Sequence, residues 1–103
     1  MCDLDKIRFE AINTEIYINA KDVFKVYADN KNFAKTLLIL FCKTNNIILK
    51  FENYMPVNEF IKYFEKYTPK REKYKEKFIQ ILAYINNKLN DFVKEIWKKI
   101  NNK

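Results

Sequence analysis

The chain has 103 residues, of which 49% are hydrophobic and 17% aromatic, and its formal net charge is +7. A chain of this length forms one domain around a single core, and so apolar a composition excludes an intrinsically disordered protein. Glycine and histidine are both absent, which excludes glycine-rich phosphate-binding loops and every mechanism that depends on a histidine base.

The first predicted element is a β-hairpin. Apolar and polar residues alternate over residues 6–12 and 15–18, on either side of a two-residue turn at Asn13 and Thr14. One face of this hairpin carries the side chains of Ile7, Phe9, Ala11, Ile16 and Ile18. In the absence of glycine, asparagine is expected to supply the turn conformations. The candidate positions are Asn13, Asn30, Asn45 and Asn46.

Two helices are predicted next. The first covers residues 20–28, with Asn19 as its N-cap and Asp22 in its first turn. The second begins after Asn30, at residues 32–42, but residues 37–42 are continuously apolar and could instead pair with residues 47–52 as a hairpin. We favour a helix followed by a strand over residues 47–52, because leucine forms helices more readily than β-branched residues do.

Two further helices complete the chain. Pro56 suits the first turn of a helix, which ends near Tyr67. Thr68 and Pro69 then combine an N-cap hydroxyl with proline at the first helical position, and no helix breaker follows. The last helix therefore runs from residue 68 to residue 102.

The predicted fold class is α+β, in one domain over residues 1–103. Residues 1–67 form a mixed part, in which the N-terminal hairpin and one or two further strands make a small antiparallel sheet. Residues 68–102 form a long, basic, amphipathic helix, the last of about four helices.

The long helix carries an apolar stripe that widens towards its C-terminal end. The stripe comprises Tyr74, Phe78, Ile81, Leu82, Ile85, Leu89, Phe92, Val93, Ile96 and Ile100, with Ile79 and Trp97 on its flank. Its wide end exceeds what packing on one face requires, so a second copy or the groove of a partner protein is one candidate to cover part of it. The candidate protein-interface residues are Phe92, Val93, Ile96, Trp97 and Ile100. Packing of the whole stripe on the rest of the domain is the interpretation we favour, and contact with another chain is the alternative.

The positive charge is concentrated in the C-terminal third of the chain. Residues 70–103 contain ten basic and four acidic residues, whereas residues 1–69 contain ten and nine. Basic and polar side chains lie opposite the apolar stripe and could bind the phosphates of a nucleic acid. The candidate nucleic-acid-binding residues are Lys70, Arg71, Lys73, Lys77, Tyr84, Lys94 and Lys98. An ordinary solvated helix face is the alternative, since only one of these residues is an arginine.

Catalysis is not expected. Glu72 and Glu76 lie among basic residues as ordinary helix-surface pairs, and two cysteines are too few for a metal cluster or a disulfide framework. Cys42 is interpreted as a core thiol. We expect no cofactor, no metal, no catalytic residue and no small-molecule substrate. Without a leader or a membrane span in the sequence, the expected location is the cytoplasm, or the host cytoplasm for a phage protein.

Residues 16–37 resemble the N-terminal segment of phage antirepressor proteins. In both, a β-hairpin leads into a helix that begins Asn-Ala-basic-acidic-aliphatic, followed by a second helix that starts with an aromatic residue. The matching positions are Asn19, Ala20, Lys21, Asp22, Val23 and Phe33. The resemblance covers about a fifth of the chain, and an apolar run over residues 36–42 replaces the family's tryptophan-bearing basic stretch. It implies a phage-type regulatory module that binds DNA or a repressor-like protein.

Three functional hypotheses follow. The first is a non-enzymatic regulatory protein of a phage or mobile element that binds nucleic acid through its basic C-terminal helix. The second is a small inhibitor of a host defence complex, similar to an anti-CRISPR protein, that occupies the surface or nucleic-acid channel of that complex. The third, compatible with both, is a homodimer in which the last helix pairs with its copy. The seam of that homodimer comprises Phe78, Leu82, Ile85, Leu89, Phe92 and Ile96.

Overall fold

The computed structural model describes residues 4–28, 30–49, 52–66 and 72–101, without the side chains of residues 72 and 73. These residues form strands β1 (Phe9–Ile12), β2 (Glu15–Asn19) and β3 (Tyr54–Pro56), and helices α1 (Ala20–Ala28), α2 (Lys31–Asn45), α3 (Val57–Phe64) and α4 (Glu72–Asn101). The sheet is antiparallel with strand order β1-β2-β3. The predicted α+β class with a long last helix is confirmed. The predicted helix start at Thr68 and Pro69 lies outside the described residues.

The hairpin forms as predicted. Phe9 pairs with Ile18 and Ala11 pairs with Ile16 across β1 and β2, so these side chains share one face of the sheet. In the turn between the strands, the backbone of Asn13 adopts a left-handed conformation with φ 59°. Asparagine accepts this conformation more readily than other residues with a Cβ atom, so it replaces glycine here.

Asparagine side chains also define the ends of the helices. The side-chain oxygen of Asn19 accepts a hydrogen bond from the backbone amide of Asp22 at 3.0 Å, which caps α1 as predicted. The side-chain oxygen of Asn30 accepts two amide hydrogen bonds at the start of α2. Asn46 ends α2 in a left-handed conformation with φ 53°. Asn45 is not a turn residue, because it is the last residue of α2.

The ambiguous segment at residues 37–42 is helical, as favoured, but the strand predicted over residues 47–52 is wrong. Residues 47–49 and 52 are not in a strand, residues 50 and 51 lie outside the described residues, and β3 begins at Tyr54. Glu52 and Asn53 both have positive φ, 57° and 84°, and form a turn that leads into the strand. Ile47 and Leu49 pack against the core instead. An apolar run indicates that a segment is buried, but it does not distinguish a strand of the sheet from an irregular segment that packs on the core.

The core is an aromatic cluster shared by the four helices. Phe60 on α3 is fully buried, and its ring centroid lies 5.1–6.3 Å from those of Phe24, Phe41 and Phe64. Phe78 extends the cluster to α4 through a 4.9 Å contact with Phe64. A helix of thirty residues is about 45 Å long, so α4 spans nearly the whole 49 Å length of the molecule. No described helix is long and apolar enough to cross a membrane.

Candidate nucleic-acid interface

An ion pair holds the hairpin against the start of α1. The Arg8 guanidinium donates to both carboxylate oxygens of Asp22, with Nε–Oδ2 at 2.8 Å and Nη2–Oδ1 at 3.1 Å. The backbone amide of Arg8 also donates to Asp22 Oδ2, and this carboxylate raises the pKa of Arg8. Asp22 is the one acidic residue of α1. Because it is buried and bonded to Arg8, it does not neutralise the exposed lysines of the same helix.

Four exposed lysines surround a cleft between α1 and α2. The cleft has a volume of about 570 Å³, and we name it the lysine cleft after Lys21 and Lys25 on α1 and Lys31 and Lys35 on α2. The other lining residues are Asn32, Ala34, Leu38, Ile39 and Asn53. No carboxylate is among the described residues that line it. Asp29, between the two helices, lies outside the described residues.

The lysine cleft is an electrostatically unfavourable arrangement in the absence of an anion. Each helix places two lysines four residues apart, and like charges at this spacing repel by a few tenths of a kcal/mol. The positive end of the α2 macrodipole, at Lys31 and Asn32, adds to the same field. A phosphate group in the cleft would relieve this repulsion, and the amides of Asn32 and Asn53 are neutral hydrogen-bond donors beside it.

The nucleic-acid-binding residues predicted on α4 do not form one free face. Lys94 and Lys98 are exposed, as predicted. Lys70 and Arg71 lie outside the described residues, and so does the side chain of Lys73.

Two of the predicted residues pack against the rest of the domain, so their placement opposite the apolar stripe is wrong. Lys77 is half-buried, and its ammonium donates to the carbonyl oxygen of Val26 at 3.4 Å. The Tyr84 ring lies 6.4 Å from that of Phe9, with the Lys88 ammonium 5.6 Å from its centroid. Lys77 and Tyr84 are seven residues apart and therefore lie on one side of α4. Val26 of α1 contacts this side at Lys77, and Phe9 of the hairpin contacts it at Tyr84.

The predicted protein-interface residues divide into two groups. Phe92 and Ile96 are half-buried, and the Phe92 ring packs on Phe9 with centroids 6.1 Å apart. Val93, Trp97 and Ile100 remain 53%, 65% and 57% exposed. The outer part of the wide stripe thus lies at the surface, so the favoured interpretation, packing of the whole stripe on its own domain, is wrong for these three residues.

Groups that would support metal or thiol chemistry are not assembled in the described part of the chain. No cluster of three metal-ligating side chains occurs there. Cys42 is half-buried against the core, and burial raises the pKa of its thiol. A thiol with a raised pKa is a poor nucleophile at neutral pH.

The sequence analysis did not predict the lysine cleft, because its positive charge is balanced by acidic residues elsewhere in residues 1–69 and disappears in the sum over that part. Within single elements, α1 and α2 each carry two lysines at a spacing of four residues, and α2 contains no acidic residue. This charge pattern within single helices is the sequence signal that indicates the cleft. Comparison of the chain with protein-family models, with curated proteins and with solved structures finds no match.

Proposed function

We propose that this protein binds nucleic acid without catalysis, and that the lysine cleft contacts the phosphate backbone. The observation that carries the proposal is four exposed lysines around one cleft whose described lining contains no carboxylate. The acidic residue of α1 is bonded to Arg8, so none of the carboxylates that the structure describes on α1 or α2 is free to cancel the charge of the cleft. Lysine contacts to phosphate supply affinity independent of base sequence.

The regulatory and phage-related parts of the hypothesis are included in this proposal. Residues 16–37, which resemble the N-terminal segment of phage antirepressors, contain all four lysines of the cleft. A protein that binds nucleic acid in the manner of such a module would act by occupancy, which agrees with the absence of histidine from the chain. On α4, the exposed side chains of Lys94 and Lys98 form a second site for phosphate contacts, with two lysines instead of four.

The dependence of affinity on salt measures the number of phosphate contacts. Four contacts to duplex DNA give a slope of about −3.6 in a plot of log K against log salt concentration, and about −2.8 for a single strand. We would measure binding of the full chain to mixed-sequence duplex and single-stranded probes by fluorescence anisotropy, between about 50 and 200 mM salt. A slope near zero, or no binding at the lowest salt, would refute the proposal.

Three variants of equal net charge separate the cleft from the overall charge of the protein. The first is Lys21→Gln with Lys35→Gln in the cleft. The second is Lys94→Gln with Lys98→Gln on α4, and the third is Lys62→Gln with Lys66→Gln at the end of α3. All six side chains are exposed, so the fold should be retained.

The cleft variant is expected to bind at least roughly tenfold more weakly than the α3 variant and to lose about two units of slope. Equal losses in all three variants would show that net charge alone attracts the nucleic acid. A loss confined to the α4 variant would assign binding to the C-terminal helix.

One observation favours the second hypothesis, an inhibitor that binds a host protein complex. Trp97 is 65% exposed beside Val93 and Ile100, and an exposed tryptophan among apolar neighbours is typical of protein interfaces. A chain that binds no nucleic acid, but loses binding to a purified defence complex on Trp97→Ala, would support this function in place of the first.

A further inference from the structure

One exposed flank of α4 carries an uncharged seam. Its residues follow at alternating spacings of four and three: Ile79, Ala83, Asn86, Asn90, Val93, Trp97 and Ile100. All seven are exposed, with Ile79 at 66% and Trp97 at 65%. Of the thirty residues of α4, seven are lysines and four are acidic, yet none of these lies on the seam. This spacing is the heptad pattern by which two helices pair.

This seam differs from the one predicted on the sequence. That prediction used the main apolar stripe, but its members Phe78 and Ile85 are only 4% and 0% exposed. They are occupied by the core of their own chain, so a second helix cannot reach them. The exposed seam is displaced by one residue along the chain, which rotates it by about 100° around the helix and brings it to the surface.

We propose that α4 pairs antiparallel with α4 of a second copy of this chain through the exposed seam. The pairing places Ile79 of one chain against Trp97 of the other, and Ala83 of one chain against Val93 of the other. Each of these contacts occurs twice in the dimer. In the middle, the amides of Asn86 and Asn90 face one another. These three pairs are symmetric about residue 88, as a two-fold interface requires. Ile100 lies beyond them, opposite Glu76 of the second copy.

The side chains favour the antiparallel arrangement over the parallel one. A parallel pair sets Ala83 against Ala83, which leaves a gap, and Trp97 against Trp97, which crowds the same interface. In the antiparallel pair the small alanine faces valine. The central asparagines can exchange amide hydrogen bonds, and a polar pair of this kind specifies the register of a helix pair.

A groove beside the seam extends the contact from α4 to the body of the domain. It has a volume of about 480 Å³ and lies between the wide end of α4, the hairpin turn and the start of α3. Leu89, Val93 and Ile96 form its α4 side. The paired part of the seam, residues 79–97, is about 27 Å long and 10 Å wide, or about 270 Å² on each chain. The groove adds to this area, and the interface lies in the range of small, weak contacts, below roughly 1,200 Å² in total.

The first test is the mass of the full chain in solution, by sedimentation at concentrations from about 1 to 500 µM. The expected result is a change from one chain to two, with a dissociation constant on the order of 10 µM. Ile79→Glu and Trp97→Glu should each raise that constant at least tenfold. Ile48→Glu is the matched control, because Ile48 is 87% exposed and lies outside α4. Circular dichroism verifies that each variant remains folded.

The second test determines the direction of pairing by disulfide formation. In a chain carrying Cys2→Ser and Cys42→Ala, the variants Ala83→Cys and Val93→Cys are oxidised separately and as a mixture. The antiparallel register brings position 83 of one chain to position 93 of the other. Identical positions are then about 15 Å apart, beyond the reach of a disulfide. The mixture should therefore cross-link and the separate variants should not.

Three results would overturn the proposal. A chain that is still monomeric at the highest concentration leaves the seam to a partner of another kind. A dimer that resists both Ile79→Glu and Trp97→Glu uses a different surface. Faster cross-linking of the separate variants than of the mixture shows parallel helices. None of these results depends on nucleic-acid binding, so failure here is distinguishable from failure of the proposed function.

Discussion

Removal of the Phe60 ring should destabilise the protein more than removal of any exposed aromatic ring. Phe60 is 0% exposed and contacts the rings of Phe24, Phe41 and Phe64 at 6.3, 5.4 and 5.1 Å. Burial of such a side chain contributes about 3 kcal/mol, and the lost ring contacts and the cavity add to this. For Phe60→Ala we expect a loss of about 4 kcal/mol in the free energy of unfolding. The free energy of unfolding of a domain of this size is roughly 5–15 kcal/mol in total.

The assay is urea denaturation followed by circular dichroism in the far ultraviolet. Fluorescence is less suitable, because Trp97 is 65% exposed and its environment changes little on unfolding. Phe33→Ala is the matched control, since Phe33 is 42% exposed and its removal should cost less than about 1 kcal/mol. Equal losses for the two variants, or a loss below about 1 kcal/mol for Phe60→Ala, would refute the assignment of Phe60 to the centre of the core.

Three further predictions concern single side chains. Asn19→Ala should lower the free energy of unfolding in urea by about 1–2 kcal/mol, because it removes the buried cap of α1; an unchanged midpoint would contradict this role. Asn46→Ala should cost about 1 kcal/mol, since alanine tolerates the left-handed end of α2 poorly; Thr44→Ala, in the last turn, is its control. Burial raises the pKa of Cys42, so in Cys2→Ser protein the rate of alkylation of Cys42 should increase at a higher pH than that of a free thiol. The stabilisation from the neutral thiol is lost as pH rises through the raised pKa. A profile matching a free thiol would show that Cys42 is not shielded.

Much of the candidate site was visible in the sequence, but its assembly was not. The lysine pairs of α1 and α2 can be read from their spacing, and Trp97 was singled out as an interface residue. Whether Lys21 and Lys35 border one cleft depends on how the two helices pack together. The same holds for Asp22, which reads as a first-turn carboxylate but pairs with Arg8, fourteen residues away in the chain.

The sequence by itself determined the elements whose signals are local. Alternation of apolar residues around Asn13 predicted the hairpin, Asn19 predicted the cap of α1, and helical spacing predicted α4 and its buried stripe. The tertiary structure decided what each surface contacts. It packed residues 47–49 on the core instead of in a strand, and it covered Lys77 and Tyr84, which the helical periodicity alone had placed in solvent. Periodicity specifies which side chains share a face, whereas contacts between elements far apart in the chain specify which faces remain exposed.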